Sequence, residues 1–407
     1  MLERLVFSLC LLLGVMSSNA HAVTVEVLAG ALSTPPQLID AFKSEHPEIE
    51  LKLRPPVTDY DDLTQRLLRD GISGTLPDVI FQGYNRSGLT VQRRLAVPLS
   101  SFIERDKNWV DRSYQATSDD LCRHNDRVYG LPFIISVPVL YYNTELVRQA
   151  GEDPDHLPQT WEEIAALAAK ITALGGHRIG GFFDYAAAGN WTFMAVLNSQ
   201  GGRIMSADGR HVAFNGPEGM RALDVVQMFA KAGQVDMARD QVYQAFSSGT
   251  IGVLLTSSGF LKSLLKQAKF EVRTAAIPIG ENGWLPAGGN CMMMTASDPE
   301  RQKAAWTFMK FMAGAKAQKL MFDTTGYVPG NRLAVADLEK TADPADPRMT
   351  SVRASARSGE WQSFPGDNSL RITEVITSYL QQVATLQRNP DETIKLMTND
   401  VQSLLPR

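Results

Sequence analysis

The sequence predicts an α/β protein built as two lobes. Three observations carry that prediction. Short strand patterns alternate with helical patterns along the whole chain, which marks α/β units around a mainly parallel sheet. The chain has 407 residues, too many for one simple core. No repeat, low-complexity tract or flexible tether divides it into independent halves. The chain is therefore expected to cross between the lobes more than once, leaving a cleft where they meet.

The elements follow in order. Residues 5–15 form a mostly apolar run after Met1-Leu-Glu-Arg4, then come Ser17-Ser18-Asn19 and Ala20-His21-Ala22. This is the layout of a secretory signal peptide over residues 1–22, cleaved after Ala22. The run is shorter than the roughly 20 apolar residues that span a bilayer. Cys10 lies within it behind bulky Leu9, so a lipoprotein anchor is not expected. Val23-Thr-Val-Glu-Val-Leu28 alternates as a strand, and Ser33-Thr-Pro-Pro36 opens a helix with Leu38, Ile39 and Phe42 on one face. Ile49-Glu-Leu-Lys-Leu53 is a second strand, Thr58-Asp59 starts a helix carrying Leu63, Leu67 and Leu68, and Pro77-Asp-Val-Ile-Phe81 reads as a buried strand.

The alternation continues beyond residue 130. Val139-Leu-Tyr-Tyr-Asn143 is a strand, and Thr160-Trp-Glu-Glu163 is a capping box before a helix over 164–174. Residues 249–256 form a strand running into Ser257-Ser258-Gly259. Ser297-Asp-Pro-Glu300 reads as a second capping box, opening a helix through Phe311. The tail over 369–405 is helical, with a break at Asn389-Pro390.

Composition excludes several functions. Removing 22 residues leaves 385 with a net charge of −4, a balance that argues against nucleic-acid or anionic-membrane partners. Cys122 and Cys291 remain, 169 positions apart and in no C-x-x-C, and two isolated buried thiols are expected rather than a disulfide. His46, His124, His156, His177 and His211 are not paired at ligand spacing, so no metal and no cofactor are expected. The pairs Asp61-Asp62, Asp119-Asp120 and Glu162-Glu163 are adjacent, and adjacent helical residues diverge by about 100°, which does not make an acid/base pair. No G-x-S-x-G, H-E-x-x-H or phosphate loop occurs. Ser263-Leu-Leu-Lys266 is an S-x-x-K, but it sits in an amphipathic helix without companion motifs.

What remains reads as a ligand cradle. Ser257-Ser258-Gly259 joins a strand to a helix containing Leu261, Leu264 and Leu265, so it is either an ordinary N-cap or a set of donors for an anion or sugar hydroxyl. Gly288-Gly289-Asn290 is either a tight turn or a place where a ligand approaches bare backbone. Trp191, after Gly189-Asn190, suits a sugar face or the core equally. The run Met292-Met-Met294 reads as a buried strand.

From end to end, the chain resembles the extracellular solute-binding proteins of ATP-binding-cassette importers, carbohydrate family. Within them it is similar to the sn-glycerol-3-phosphate-binding branch. The resemblance rests on Ser136-Val-Pro-Val-Leu-Tyr-Tyr-Asn143, Pro158-Gln-Thr-Trp-Glu-Glu163, Thr256-Ser-Ser-Gly259, Gly288-Gly289 and Thr325-Gly-Tyr-Val-Pro329. It implies the two-lobed type II periplasmic binding protein fold, with hinge strands between lobes that close on one ligand. It also implies ligand contacts at Tyr60, Asn85, Ser136, Trp191, Ser258, Gly289, Tyr327 and Arg371.

Their chemistry is coherent. Arg371 would offer a planar fork to an anionic group, the serines and Gly289 neutral donors, and Tyr60, Trp191 and Tyr327 aromatic walls. Asp61 would accept from hydroxyls. The chain departs from the branch in having Asn85 where a glutamate is usual, and Leu28-Ala29-Gly30 where an aromatic-histidine pair ends the first strand.

The expected lobes are 23–135 plus 279–330, and 136–278 plus 331–407, with crossings near 131–136, 275–280 and Pro329-Gly330. Arg371 is expected to face the ligand, with Ser369 capping its helix. The expected role is non-enzymatic: a periplasmic monomer that delivers a polyol phosphate, such as glycerol-3-phosphate or a glycerophosphodiester, to an inner-membrane permease. A neutral-oligosaccharide binder is the alternative within the class. An exported carbohydrate-active hydrolase is the alternative outside it, and a scaffold is disfavoured because nothing repeats.

Overall fold

The computed structural model describes residues 22–106 and 121–406. The signal-peptide positions before Ala22 and the Asp119-Asp120 pair lie outside the described residues.

Fourteen strands order the described chain: β1 (Val23–Leu28), β2 (Ile49–Leu53), β3 (Val79–Gly83), β4 (Arg123–His124), β5 (Arg127–Val128), β6 (Gly130–Ser136), β7 (Pro138–Asn143), β8 (Ile179–Phe183), β9 (Ile251–Ser257), β10 (Val272–Ala276), β11 (Leu285–Pro286), β12 (Gly288–Met294), β13 (Val328–Pro329) and β14 (Ser358–Gly359). A six-stranded sheet runs β13-β6-β12-β3-β1-β2 and a four-stranded sheet runs β10-β7-β9-β8. Each sheet with the helices packed on it forms one lobe. The expectation of mainly parallel sheets is only partly met. In the two larger sheets, parallel pairing is confined to β1–β2, β1–β3 and β8–β9. β12 returns from the other lobe into the middle of the six-stranded sheet and runs antiparallel to both β3 and β6. A strand that returns from the second lobe runs opposite to β6, which leaves toward it.

Local sequence accounts for the main elements. In the helix Pro36–Glu45, Leu38, Ile39 and Phe42 are buried on one face, as their spacing requires. The helix Tyr60–Ser73 is capped by Asp59, whose side chain accepts from the amides of Asp61 and Asp62, and it ends at left-handed Gly74. The capping box at Thr160 and Glu163 is present in both directions. In the helix Pro299–Ala313 the cap is Asp298 rather than Ser297.

The outer face of the first sheet packs on the helices Pro36–Glu45 and Pro299–Ala313. There Phe42 meets Phe308 edge-on at 5.1 Å and Phe81 meets Phe133 at 5.0 Å. Burying each such ring contributes about 1.5–3 kcal/mol. The second core runs from the four-stranded sheet, through Tyr141, Phe183 and Leu254, to the terminal helices Ser369–Ala384 and Pro390–Leu404. The two helices leave the tail break at residues 385–389.

The chain changes sheet at Val137, between β6 and β7, and again in the stretch between β10 and β12. Within that stretch, β11 pairs with β14 rather than with either large sheet. Ser258 fastens the first crossing: its hydroxyl accepts from the Val137 amide at 3.1 Å and its amide donates to the Val137 carbonyl at 2.9 Å.

The two cysteines are joined, against the expectation of free thiols. Cys122 and Cys291 form a disulfide across a separation of 169 residues. Cys291 lies on β12 facing Leu121, and the fold brings together two cysteines whose spacing alone shows no sign of pairing.

Candidate functional site

A cleft of about 260 Å³ lies between the lobes, against the β6–β7 crossing. The first lobe contributes Gly30 to Ser33, Val57, Thr58, Asp59 and Tyr60. The crossing strands contribute Ser136, Gly288 and Gly289, with Tyr327 just before β13. The second lobe contributes Ala187, Ala188, Trp191, Arg239, Ser257 and Phe260, with Trp361 from the segment after β14.

The aromatic walls press on glycines. A Cβ at Gly259 would stand 2.6 Å from the Tyr327 hydroxyl and closer still to its ring, and one at Gly288 would meet the Trp191 ring at 2.9 Å. Gly289 has φ +119°, and a Cβ there would strike the Ile134 carbonyl. The run Gly288-Gly289 therefore serves both as a special backbone and as a close approach. Trp191 is fixed by its indole N–H, which donates to the Pro286 carbonyl at 3.0 Å. Tyr60 and Trp191 each sit edge-on to Trp361, with centroids 6.3 and 6.2 Å apart. The Trp361 indole nitrogen is buried without a hydrogen-bond partner among the described residues. Burial pushes the Tyr327 phenol up to about 12, opposed by the nearby Arg239 cation. The Tyr60 phenol is raised further by the same burial, and it accepts from Asn290 Nδ2 at 3.2 Å. Both rings stay neutral donors at ordinary pH.

The structure brings five of the nine predicted site residues into the cleft wall: Tyr60, Ser136, Trp191, Gly289 and Tyr327. The other four lie elsewhere. Ser258 is fully buried in the crossing, and its neighbour Ser257 takes the lining position. Asp61 is engaged by the almost wholly buried Arg86, at 2.8 Å from its Nε. Asn85 is buried beside Gly189 and Trp361, with its Oδ1 unpartnered among the described residues. Arg371 corrects an expectation outright. Its side chain is 66% exposed, pairs with Glu374 at 3.0 Å and lines a separate surface depression. The cap of its helix is Asn368, not Ser369.

Among the lining residues that sequence reasoning missed are Asp59, Arg239, Phe260 and Trp361. Arg239 opens the helix Arg239–Ser247 after Met237-Ala238 and reads locally as a solvated helix start. Trp361, an aromatic in a polar irregular stretch, offered the clearer signal. Among the described residues no cluster of three or more histidine, cysteine or carboxylate side chains could hold a metal.

Two α/β lobes, joined by strands and meeting on an aromatic cleft, define a two-lobed binding protein of the type II periplasmic fold. The chain belongs to the bacterial extracellular solute-binding protein family, whose model matches residues 37–349. It is 24% identical to the sn-glycerol-3-phosphate-binding periplasmic protein UgpB of Escherichia coli K12 over 427 aligned positions, covering 96% of this chain and 95% of that one. In structure it is similar to UgpB of Mycobacterium tuberculosis solved with glycerophosphocholine, at TM-score 0.82, 20% identity and coverage of 94% and 98%. It is also similar to the GacH receptor of Streptomyces glaucescens, solved unliganded and with acarbose, at TM-score 0.78, 20% identity and the same coverage.

Proposed function

We propose that this chain is the solute-binding component of an ATP-binding-cassette importer, acting in the periplasm after cleavage at Ala22. It captures a polyol phosphate or glycerophosphodiester between its lobes and presents the closed form to an inner-membrane permease. The observation that carries this reading is the cleft itself. Tyr60, Ser136, Trp191, Gly289 and Tyr327 come from five separate stretches and converge on one aromatic-walled space at the crossing between lobes. Such a space, with few polar groups among apolar walls, is the usual form of a small-molecule site. The ligand class is supported by the names of the Escherichia coli and Mycobacterium tuberculosis relatives.

We read the lobes as 23–135 plus 279–330, and 136–278 plus 331–407. Membership of β6, β12 and β13 in one sheet with β1, β2 and β3 supports this division. A neutral oligosaccharide is the second reading, favoured by the aromatic walls of Tyr60, Trp191, Tyr327 and Trp361.

Titration calorimetry against sn-glycerol 3-phosphate, glycerophosphocholine and maltose tests the proposal. Saturable, unchanged recovery of either phosphate compound is expected. Tight binding of maltose alone overturns the ligand class, and conversion of any solute to product overturns the binding role.

A further inference from the structure

We propose that Arg239 anchors the negatively charged group of the solute, so that the cleft binds acidic ligands in one orientation. This rests on the reading of the cleft as the solute site and replaces Arg371 as the source of positive charge. Arg239 is the only basic side chain among the described lining residues, and Asp59, on the other lobe, is the only acidic one. A ligand spanning the cleft therefore meets a cation on the second lobe and an acceptor on the first.

Arg239 is built in rather than incidental. Its Nε donates to Asp184 Oδ2 at 3.0 Å, and that carboxylate is 3% exposed. Thr256 donates to the same oxygen at 2.7 Å, and the Tyr243 hydroxyl lies 3.5 Å away. The guanidinium carbon stands 5.1 Å over the Phe260 ring, which stacks on Tyr243 at 4.2 Å. The ion pair engages Nε, and among the described residues no other carboxylate pairs with the two terminal nitrogens. Those nitrogens are the fork that recognises phosphate or carboxylate in two parallel bonds. The Arg239 side chain is 29% exposed and is flanked by the Phe260 and Tyr243 rings, so its charge is only partly screened.

The placement also runs against local electrostatics. Arg239 is the first residue of its helix, where the backbone dipole disfavours a cation. Asp184 offsets that cost and fixes the fork's direction. Asp59 completes the polarity. Its Oδ1 caps the helix Tyr60–Ser73, and its Oδ2 makes no hydrogen bond among the described residues. It is placed to accept from a hydroxyl or ammonium at the far end of the solute. The chemical class is a small molecule with a phosphate, phosphodiester or carboxylate at one end and donor groups at the other.

Melting-temperature shifts of the full mature protein test this. The acidic probes are sn-glycerol 3-phosphate, glycerophosphocholine and glucuronate, and the neutral probes are glycerol and maltose. The variants are Arg239→Gln, the pair Asp184→Asn with Arg239→Gln, which removes both charges together, and Arg371→Ala. Unliganded melting confirms that each variant folds, and the double variant serves if an unpaired Asp184 unfolds the single one.

An acidic probe should stabilise the native protein and Arg371→Ala alike, and bind roughly thirtyfold or more weakly once Arg239 is lost. Its binding should also weaken as salt rises. Equal binding of an acidic probe by the native protein and the Arg239 variants overturns the anchor while leaving the cleft a solute site. Acidic binding lost in Arg371→Ala but kept without Arg239 overturns it likewise. No shift with any probe counts against the solute site itself, and the anchor falls with it.

Discussion

Gly259 lacks a side chain because the Tyr327 ring fills the space one would need. Ring and backbone meet where the β9 strand turns into the helix Leu261–Gln267, so the wall of the cleft and the turn are a single packing problem. Gly259→Ala should displace Tyr327, cost about 1–3 kcal/mol of stability as an overpacked site does, and weaken solute binding together with it. Urea denaturation and calorimetry on one preparation check both, and a variant as stable and as tight as the parent would show that the ring has room to move. Individual residues were unevenly legible in the sequence. Tyr60, Ser136, Trp191, Gly289 and Tyr327 stand in recognisable segments, and all five line the cleft. Arg371 does not, for a reason that is geometric. The buried face of the helix Ser369–Ala384 is set by Ile372, Thr373, Ile376, Leu380 and Val383, and a side chain one position earlier is turned by about 100° toward solvent. Arg239 stayed hidden because its partner Asp184 is 55 residues away, and nothing local announces a buried carboxylate.

Elements were read more securely, because their signals are local. The capping box at Thr160 uses four consecutive residues and needs no tertiary contact. Thr160→Ala should lower stability by about 1 kcal/mol and leave solute affinity unchanged, since the helix Trp161–Ala173 contributes no lining residue. Denaturation and calorimetry that found affinity falling along with stability would tie that helix to the cleft. The sheets were less legible. Strand patterns fix where strands are, but the antiparallel course of β12 is decided by where the chain returns from the second lobe.

The disulfide belongs with such long-range facts. Cys291 on β12 and Cys122 beside β4 approach only once the sheet has formed. By restricting the unfolded chain it should contribute about 2–4 kcal/mol. Reduction under native conditions, or paired Cys122→Ser and Cys291→Ser replacement, should lower the urea midpoint accordingly. An unchanged midpoint with thiols titrating free in the untreated protein would contradict the bond.

At the scale of the molecule, the lobes touch beyond the cleft. Arg86, on the helix Tyr84–Gln92 of the first lobe, is 1% exposed. It donates to Asp61 at 2.8 Å and to Thr373 of the terminal helix at 3.3 Å. Tyr60 and Trp361 meet edge-on across the same boundary. These contacts bridge the two lobes, so a motion that parts the lobes would break them. A solute that bridges both walls favours the closed state by its differential affinity for it. Arg86→Ala removes a closing contact outside the cleft wall, so it should weaken binding while the lining residues stay intact. Unaltered affinity would show that this contact does not bias closure. The number of lobes and the presence of a cleft were legible from chain length and the absence of a tether. The contacts that close it were not, because each joins residues far apart in sequence.

The proposed function requires that a solute be captured between two lobes that close on it. Small-angle scattering of the mature protein, alone and with saturating sn-glycerol 3-phosphate or glycerophosphocholine, tests it most directly. The radius of gyration should be smaller with the bound solute. An identical radius with and without a solute that calorimetry shows to be bound would contradict it.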